Sequence, residues 1–529
     1  MRKFSSYGPV DKDLHYYVPR TELVQHALNE LVGDAPNKGG HYITVWAPRQ
    51  RGKSWIMRDV LWQLQHDDRF EVAMLSLQHL RIADDIGQAI KLFGDELAKQ
   101  LNWPELTLTR ADQIYGLFNK EHLTKPLILI LDEFDALPET LITDMVTIFR
   151  NIYNSRLNQV KQTGQKETYL LHGLALIGVR GVLGIENSSG SPFNVQRGLS
   201  IPNLTFDEVT SMFQWYERES GQTIEPAVIE RIFYEFQGQP GLTSWLGELL
   251  TENYNKHRPT ITMQDFEIAY SYATNVLPNA NIVNLVSKAR QEPYKSLVLE
   301  LFQTNAKTEF RYDDPQTNFL YLNGVIDLES GDKATHFVKF SCPFVQKRLF
   351  NYFAHEIFRT VGRLHPPFED LTSVATETDL NLTNLLRLYE RYLQANQSWL
   401  FTNAPRRSDL RLYEAVYHFN LYMYLWQFIT KRDGSVYPEF PTGNGQIDLL
   451  VRYAGKNYGI EVKSYSDEAE YRKALKQSAH YGQKLELSEI TLAIFVEAID
   501  ETSRQKYEVI YHDPTSKVTV YPVFITTGI

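Results

Sequence analysis

The chain has 529 residues, 43% of them hydrophobic and 22% charged, and its net charge is −10. This composition is typical of globular domains and excludes a disordered or fibrous chain, and at roughly 150 residues per domain the length predicts about three or four units. A single cysteine, Cys342, excludes a disulfide framework and a thiolate zinc cluster and predicts a cytoplasmic location. No apolar stretch approaches the about 20 residues of a membrane span, and no secretory signal is seen, so no membrane association is predicted.

Strands and helices alternate over the first 200 residues. Apolar runs predict strands at 42–46, 71–77, 127–131 and 173–179, with helical spacing between them. Strands that are apolar on both faces are typical of a parallel sheet covered by helices on both sides.

The rest of the chain is predicted to be helical from 206 to 255, with a turn at 238–241. Residues 290–355 predict a winged-helix-like unit with short strands at 319–328 and 336–340, and residues 379–401 predict an amphipathic connecting helix. A long helix at 410–430 then precedes strands at 446–453, 457–464 and 491–498.

A phosphate-binding loop is indicated at residues 47–54, which read APRQRGKS between a predicted strand and a predicted helix. Its backbone amides would wrap phosphates, Gly52 allows close approach, Lys53 reaches the β- and γ-phosphates, and Ser54 holds Mg²⁺. The first position is Ala47 where the motif has glycine, which leaves binding intact and hydrolysis open.

A second element of the same kind of site follows the apolar strand at 127–131. Asp132 and Glu133 stand at its carboxyl end. We expect Asp132 to position Mg²⁺ and Glu133 to polarise the attacking water.

These motifs resemble those of archaeal-type ATPases and related STAND NTPases of the AAA+ class. The matching segments are YVPR at 17–20, LILILDEFDAL at 127–137, LIGVR at 176–180 and GQPG at 238–241, and the resemblance covers about residues 15–350. It implies that Arg180 is a sensor near the γ-phosphate and that Arg20 lies near the base. A structural role for Arg20 is the stronger expectation.

A second constellation lies near the carboxyl terminus. Asp448 belongs to one predicted strand, and Glu461 and Lys463 share one face of the next, because side chains two residues apart in a strand point the same way. A hairpin through 454–457 would bring Asp448 beside Glu461. Paired carboxylates form a hard oxygen site for Mg²⁺ or Mn²⁺, with Lys463 orienting the nucleophile and Glu414 as a third carboxylate.

This pattern resembles the PD-(D/E)XK nuclease superfamily over about residues 405–500. Gln477 and Tyr481, four apart on a predicted helix, resemble the QxxxY element of its RecB-like branch, whose residues support the site or contact DNA. His418 and His480 are interpreted as packing residues and not as metal ligands. Five aromatic residues are interpreted as core and not as base-stacking groups: Trp399, Phe401, Tyr413, Tyr417 and Trp426.

The sequence therefore predicts an α/β multidomain protein. Its expected activity is that of an ATP-regulated, Mg²⁺-dependent nuclease that acts on nucleic acid, with DNA as the expected substrate. We also expect a nucleotide-dependent homo-oligomer and a role in defence or mobile-element biology. Two alternatives stay open: an ATPase switch whose nuclease-like domain binds nucleic acid without cutting it, and a STAND-like signalling switch with a protein partner. The predicted segments are a P-loop ATPase core at 1–200, a helical lid at 201–280, a winged-helix-like domain at 281–365, a helical linker at 366–404 and a mixed-sheet nuclease domain at 405–529.

Overall fold

The computed structural model describes residues 1–6, 8, 10–34, 39–83, 85–104, 106–160, 169–178, 196–302, 308–330, 335–439, 448–465 and 467–528. The chain divides into two compact units, Met1–Ser271 and Tyr272–Ile529.

The first unit is built on a five-stranded sheet in the order β2-β3-β4-β1-β5, in which every neighbouring pair is parallel. The four strands predicted from apolar runs are confirmed, and the edge strand β5 is additional. The strands are β1 Tyr42–Trp46, β2 Glu71–Ser76, β3 Leu127–Asp132, β4 Leu171–Gly178 and β5 Gln196–Ser200.

Hydrophobic cores lie on both faces of this sheet, which explains why the central strands are apolar throughout. In β3, Leu127, Leu129 and Leu131 belong to one core, whereas Ile128 and Ile130 belong to the other. Successive side chains of a strand point to opposite faces, so a strand covered on both sides needs apolar residues at every position.

Helices surround the sheet and then form a helical segment, as predicted. The helix at 206 begins with a capping box between Thr205 and Glu208 and ends at Gly221 in the left-handed region. A short parallel pair, β6 Thr223–Ile224 and β7 Thr260–Ile261, lies in the helical segment after this helix. The helices are α1 Thr21–Val32, α2 Lys53–Leu64, α3 Ile86–Gln100, α4 Ile114–Leu117, α5 Glu139–Val160, α6 Phe206–Ser220, α7 Pro226–Phe236, α8 Pro240–Glu248 and α9 Met263–Asn275.

The second unit begins with helices and one hairpin. The prediction of a strand from residue 319 is wrong in its first half, because the Asp314 side chain caps a helix with Pro315 in its first turn. The elements are α10 Ala280–Ala289, α11 Tyr294–Leu301, α12 Pro315–Leu322, β8 Ile326–Ser330, β9 His336–Phe340 and α13 Pro343–Ile357.

A six-stranded mixed sheet forms the rest of this unit, in the order β10-β11-β12-β13-β15-β14. Strand β13 is parallel to both its neighbours, and the remaining pairs are antiparallel. The strands are β10 Ser435–Glu439, β11 Asp448–Tyr453, β12 Lys456–Ser464, β13 Glu489–Val496, β14 Tyr511–His512 and β15 Thr519–Thr526, and the helices are α14 Leu382–Leu400, α15 Glu414–Thr430, α16 Glu468–Lys484 and α17 Glu501–Tyr507.

Helix α14, predicted as a connecting helix, is bonded to this sheet. Arg387 Nη1 donates to the Phe524 carbonyl at 2.6 Å, and Glu390 Oε1 accepts from the Thr526 amide at 2.9 Å. The core interpretation of the aromatic residues is wrong for two of the five, since Trp399 and Trp426 are 46% and 39% exposed. Both lie at helix positions that face solvent.

Among the helices that the structure describes, none combines the length and the apolar character that crossing a bilayer requires.

Candidate functional site

The loop between β1 and α2 has the backbone of a phosphate-binding loop. Gln50 and Gly52 have φ angles of 58° and 89°, in the left-handed region, and Gly52 is the residue from which α2 starts. An ideal Cβ on Gly52 would meet no atom within 4 Å, so glycine is needed here for its backbone conformation rather than for space. The turn directs the amino terminus of α2, with Lys53 and Ser54 in its first turn, towards the carboxyl edge of the sheet.

Lys53 is held by the loop that precedes it. Its Nζ donates to the Ala47 carbonyl at 2.6 Å and to the Pro48 carbonyl at 3.0 Å. Burial lowers the pKa of Lys53 to about 8, against the opposing effect of the Asp135 and Asp132 carboxylates. Lys53 therefore lies within electrostatic reach of Asp132 and of Asp135, three residues further along the chain, which the sequence analysis did not assign.

The residue that follows β3 has an unusual backbone. Glu133 has φ 55° and ψ 43°, a left-handed conformation that is uncommon outside glycine, and its amide donates to Asp132 Oδ1 at 2.9 Å. Non-glycine residues in this region cost on the order of 1 kcal/mol or more and concentrate at functional sites.

The surroundings of Glu133 favour a base more than a surface carboxylate. Burial raises its pKa, and the neighbouring charge of Asp132 acts in the same direction. Arg81 and Arg49 oppose this effect, which places two guanidinium groups in the electrostatic surroundings of Glu133. Arg81 lies in the 3₁₀ turn Gln78–Ile82 after β2, a segment without a motif that sequence alone reveals.

The GQPG turn contacts the phosphate-binding loop directly. Gln239 Nε2 donates to the Arg49 carbonyl at 3.2 Å, and the Gly241 amide donates to the Gln50 carbonyl at 3.3 Å. An ideal Cβ on Gly241 would lie 2.4 Å from Gln50 Oε1, so this approach requires a glycine. The turn at the start of α8 is thus part of the first site.

The two arginines that the resemblance singled out have different outcomes. Arg20 Nε lies 3.1 Å from Glu208 Oε1, and its Nη1 donates to the Pro202 carbonyl at 3.3 Å, which is a structural role. Arg180 lies outside the described residues, so its role as a sensor stays a prediction.

A tight hairpin between β11 and β12 builds the second site. Asp448 is paired in register with Glu461, as the sequence predicted. The turn is shorter than expected, because Tyr453 already pairs with Lys456. The two residues between them, Ala454 and Gly455, have φ angles of 49° and 75°, as a two-residue hairpin turn with positive φ at both positions requires.

Glu461 and Lys463 form a buried ion pair on one face of β12. Lys463 Nζ lies 3.2 Å from Glu461 Oε1. Lys463 is 6% exposed and Glu461 is 2% exposed. Val462 between them is buried and points to the opposite face. Burial raises the pKa of Glu461, while Lys463 lowers it, and within the described residues Glu461 Oε2 has no hydrogen-bond partner.

The helix α15 contributes a carboxylate and a histidine. His418 Nε2 lies 3.6 Å from Glu414 Oε1, and burial lowers the pKa of His418, with Lys463 acting in the same direction. The ring packs on Phe495 at 5.9 Å, and neither ring nitrogen has a hydrogen-bond partner in the part of the chain that the structure describes. His480 is exposed on α16.

Helix α16 faces this site with a residue that the sequence analysis missed. Ser478 is fully buried, its hydroxyl donates to the Ala474 carbonyl at 2.9 Å, and its proximity lowers the pKa of Glu461 against the larger effect of burial. Tyr481 is buried in the core between α16 and the sheet, and Gln477 is half-buried. A small hydroxyl residue carries no motif, so only the packing of α16 on β12 reveals Ser478.

The fit of a divalent cation to the second site rests on one buried carboxylate oxygen. Glu461 Oε2 is buried and has no partner among the described residues, as a ligand oxygen would be. In the same described ranges no cluster of three or more His, Cys, Asp and Glu residues has the spacing of a metal site. The side chain of Asp448 lies outside that description.

Comparison with known proteins finds a family that resembles the first unit. A family model described as an AAA-like domain matches residues 5–261. A search of curated proteins finds no match. Residues 5–261 are therefore similar to an AAA-like P-loop ATPase domain, a fold that implies ATP binding.

Solved structures with ATPase folds are similar to this chain at low identity. The Walker-type ATPase PABY2304 of Pyrococcus abyssi has 15% identity and a TM-score of 0.45, covering 65% of this chain and 99% of its own. The Aeropyrum pernix ORC1 protein, solved in complex with DNA, has 13% identity and a TM-score of 0.33, covering 63% and 93%. The Thermotoga maritima RuvB Holliday junction branch migration motor has 15% identity and a TM-score of 0.34, covering 61% and 92%.

Proposed function

We propose that this protein is an ATP-regulated, Mg²⁺-dependent nuclease that cleaves phosphodiester bonds of nucleic acid, with DNA as the preferred substrate. The observation that carries the proposal is the hairpin register that pairs Asp448 with Glu461, two positions before Lys463 on the same strand. A lysine and a carboxylate with a free oxygen, both withdrawn from water, serve hydrolysis better than they serve folding, since a buried pair stabilises little by itself.

The first unit would bind ATP through its loop and hydrolyse it through β3. Lys53 exchanges the Ala47 and Pro48 carbonyls for phosphate oxygens, and Glu133 orients the attacking water. Ser54 and Asp132 would hold Mg²⁺, which neutralises phosphate charge when bound. The GQPG turn lies on the carbonyls of Arg49 and Gln50, so nucleotide that rearranges the loop would displace the helical lid.

In the second unit, Asp448, Glu461 and Glu414 would hold Mg²⁺ or Mn²⁺, which when bound lowers the pKa of water and polarises a phosphoryl oxygen. Lys463 stabilises the charge that develops on the scissile phosphate, because its ammonium is fixed beside Glu461. Gln477 and Tyr481 of α16 would support the site, and Ser478 lies beside the Glu461 carboxyl.

Residues 281–365, which lie between the two sites in sequence, are proposed as a winged-helix-like domain. The hairpin β8–β9 follows α12 as a wing follows a recognition helix, and an isolated antiparallel bridge joins Glu309 to Phe337 of β9. We propose in addition a nucleotide-dependent homo-oligomer, a cytoplasmic location and a role in defence or mobile-element biology.

Cleavage of plasmid, single-stranded DNA and RNA with Mg²⁺, with and without ATP, tests the proposal. The test variant is Glu461→Gln, which keeps the shape of the side chain, and the control is Glu489→Gln, an exposed carboxylate at the start of β13. We expect cleavage that Glu461→Gln abolishes and Glu489→Gln preserves, and that Lys53→Ala makes independent of ATP. Cleavage that survives Glu461→Gln would contradict the proposed site.

A second candidate is an ATP switch whose second unit binds nucleic acid or a protein partner without cutting. The 3.2 Å pair between Lys463 and Glu461 favours it, because each group already neutralises the charge of the other. A protein that shifts DNA mobility but never cleaves would support nucleic-acid binding. Nucleotide-dependent oligomerisation without DNA affinity would support a STAND-like signalling switch.

A further inference from the structure

A basic cavity of about 530 Å³ lies in the second unit, outside both candidate sites. Its cationic walls come from two distant segments: Arg363 and His365 belong to the loop after α13, and Lys431 and Arg432 directly follow α15. Among the residues that the structure describes, no acidic side chain lines the cavity. This concentration of positive charge is notable in a chain whose net charge is −10, because an acidic protein repels polyanions except at such patches.

Two of these cations have no internal counterion. Arg363 and Lys431 are exposed, and within the described residues their side chains form neither an ion pair nor a hydrogen bond. The nearby carboxylate of Glu369 is engaged by Arg391. Like charges brought together without a counterion repel one another, so an external anion is the group that relieves this arrangement.

Arg432 is fixed in place. Its guanidinium lies 3.9 Å from the centroid of the Phe428 ring, and its Nη1 donates to the Phe428 carbonyl at 2.8 Å. A guanidinium held on an aromatic ring loses little conformational freedom when its remaining N–H groups bind an oxyanion.

The opposite wall is also preorganised. Tyr392 Oη donates to the Val361 carbonyl at 2.7 Å, and Tyr424 Oη donates to the Leu364 carbonyl at 3.4 Å. Burial raises the pKa of Tyr392 to about 12. Gly362 has φ 68°, and an ideal Cβ there would lie 3.0 Å from the ring of Trp399, so the loop that carries Arg363 and His365 has a defined path.

We propose that this cavity is a phosphate-binding site. Guanidinium and ammonium groups are the side chains that recognise phosphate oxygens, and the volume is in the range of sites for nucleotide-sized ligands. The cavity lies beyond the carboxyl end of α15, whereas Glu414 begins that helix, and its 17 residues span about 25 Å. It is therefore separate from the site at Glu461. The phosphates come either from a free phosphorylated ligand or from a nucleic-acid backbone.

Binding measurements on the full chain test this site. All proteins carry Lys53→Ala, which removes phosphate binding at the first site, and divalent cations are omitted so that cleavage plays no part. Arg363→Gln/Lys431→Gln is compared with Lys484→Gln/Lys517→Gln, which removes two exposed lysines elsewhere in the same unit. The ligands are inorganic tripolyphosphate, followed by calorimetry, and a labelled single-stranded DNA oligonucleotide, followed by fluorescence anisotropy.

The Arg363→Gln/Lys431→Gln protein should bind tripolyphosphate about tenfold more weakly than the lysine control. If nucleic acid supplies the phosphates, DNA binding weakens too, and the slope of log K against log salt falls by about 0.7 for each lost contact. Weakened tripolyphosphate binding with unchanged DNA binding identifies a free phosphorylated ligand. Equal affinities of the two double variants for both ligands would overturn the proposal, whatever the cleavage assay shows.

Discussion

Replacing Lys463 with methionine removes the ammonium that lies 3.2 Å from the buried Glu461 carboxylate. At that separation, an effective dielectric constant of about 20 gives an attraction of about 5 kcal/mol. Breaking one side of a buried pair typically costs about 3–5 kcal/mol, because the remaining charge stays buried. Methionine keeps most of the side-chain volume, so we expect the free energy of opening of β12 to fall by about that amount.

The loss should depend on pH in a defined direction. Burial raises the pKa of Glu461 above 4.5, and removing Lys463, which lowers that pKa, raises it further. A carboxyl with a raised folded pKa gains protons on folding, so stability decreases as pH rises from about 4.5 through the folded pKa, by up to about 1.4 kcal/mol per pH unit. The destabilisation by Lys463→Met should therefore be larger at about pH 8 than at about pH 5.

Hydrogen exchange of peptides covering residues 456–464 measures this free energy at both pH values. The control is Lys456→Met at the start of β12, whose partner Asp379 is exposed, and it should cost much less than Lys463→Met because solvent screens an exposed pair. Adding Glu461→Gln to Lys463→Met should recover most of the loss and remove its pH dependence. Equal losses for the Lys463 and Lys456 variants, or a loss that is the same at both pH values, would refute a charged, buried Glu461.

Three further predictions concern the first site. Lys53→Ala should abolish ATP binding in calorimetry, with an unchanged circular dichroism spectrum. The affinity of the wild-type protein for ATP should decrease above about pH 8, where Lys53 loses its proton. A constant affinity across that pH range would contradict the lowered pKa of Lys53. Glu133→Gln should retain ATP binding and slow hydrolysis by about 10²-fold or more in a phosphate-release assay, and an unaltered rate would exclude Glu133 as the base. Gly241→Ala should increase hydrogen exchange at 237–243, and Gln50→Gly should restore protection, because the added Cβ would lie 2.4 Å from Gln50 Oε1 and 2.7 Å from Gln50 Cβ; failure of that rescue would argue against the contact.

Much of the fold follows from short-range patterns. Residues 127–131 predict a buried strand because five consecutive apolar residues satisfy both faces of a covered sheet. The structure has β3 at these residues, with hydrophobic cores on both of its faces. Residues 457–464 predict a strand, and the positive φ angles of Ala454 and Gly455 complete the hairpin that sets its register. These elements are predictable because each depends on residues that are near in sequence.

Other features depend on neighbours that are distant in sequence. The five aromatic residues before the second site share a helical spacing, yet Trp399 and Trp426 are exposed, because the packing partners of a helix decide which of its faces is covered. Residues 319–328 contain strand-forming side chains, but the cap at Asp314 makes the first part helical. Ser478 faces Glu461 only because α16 packs across β12.

The sequence by itself determined which residues are candidates for the two sites: the loop at 47–54, the carboxylates after β3, and the Asp448, Glu461 and Lys463 set. Their chemistry is encoded by residue types at fixed local spacings. Tertiary structure alone decided the electrostatic surroundings, such as the burial that lowers the pKa of Lys53 and raises that of Glu461. It also decided that the loops after α13 and α15 share one basic cavity. Burial and convergence of charge depend on segments far apart in the chain, which no local pattern contains.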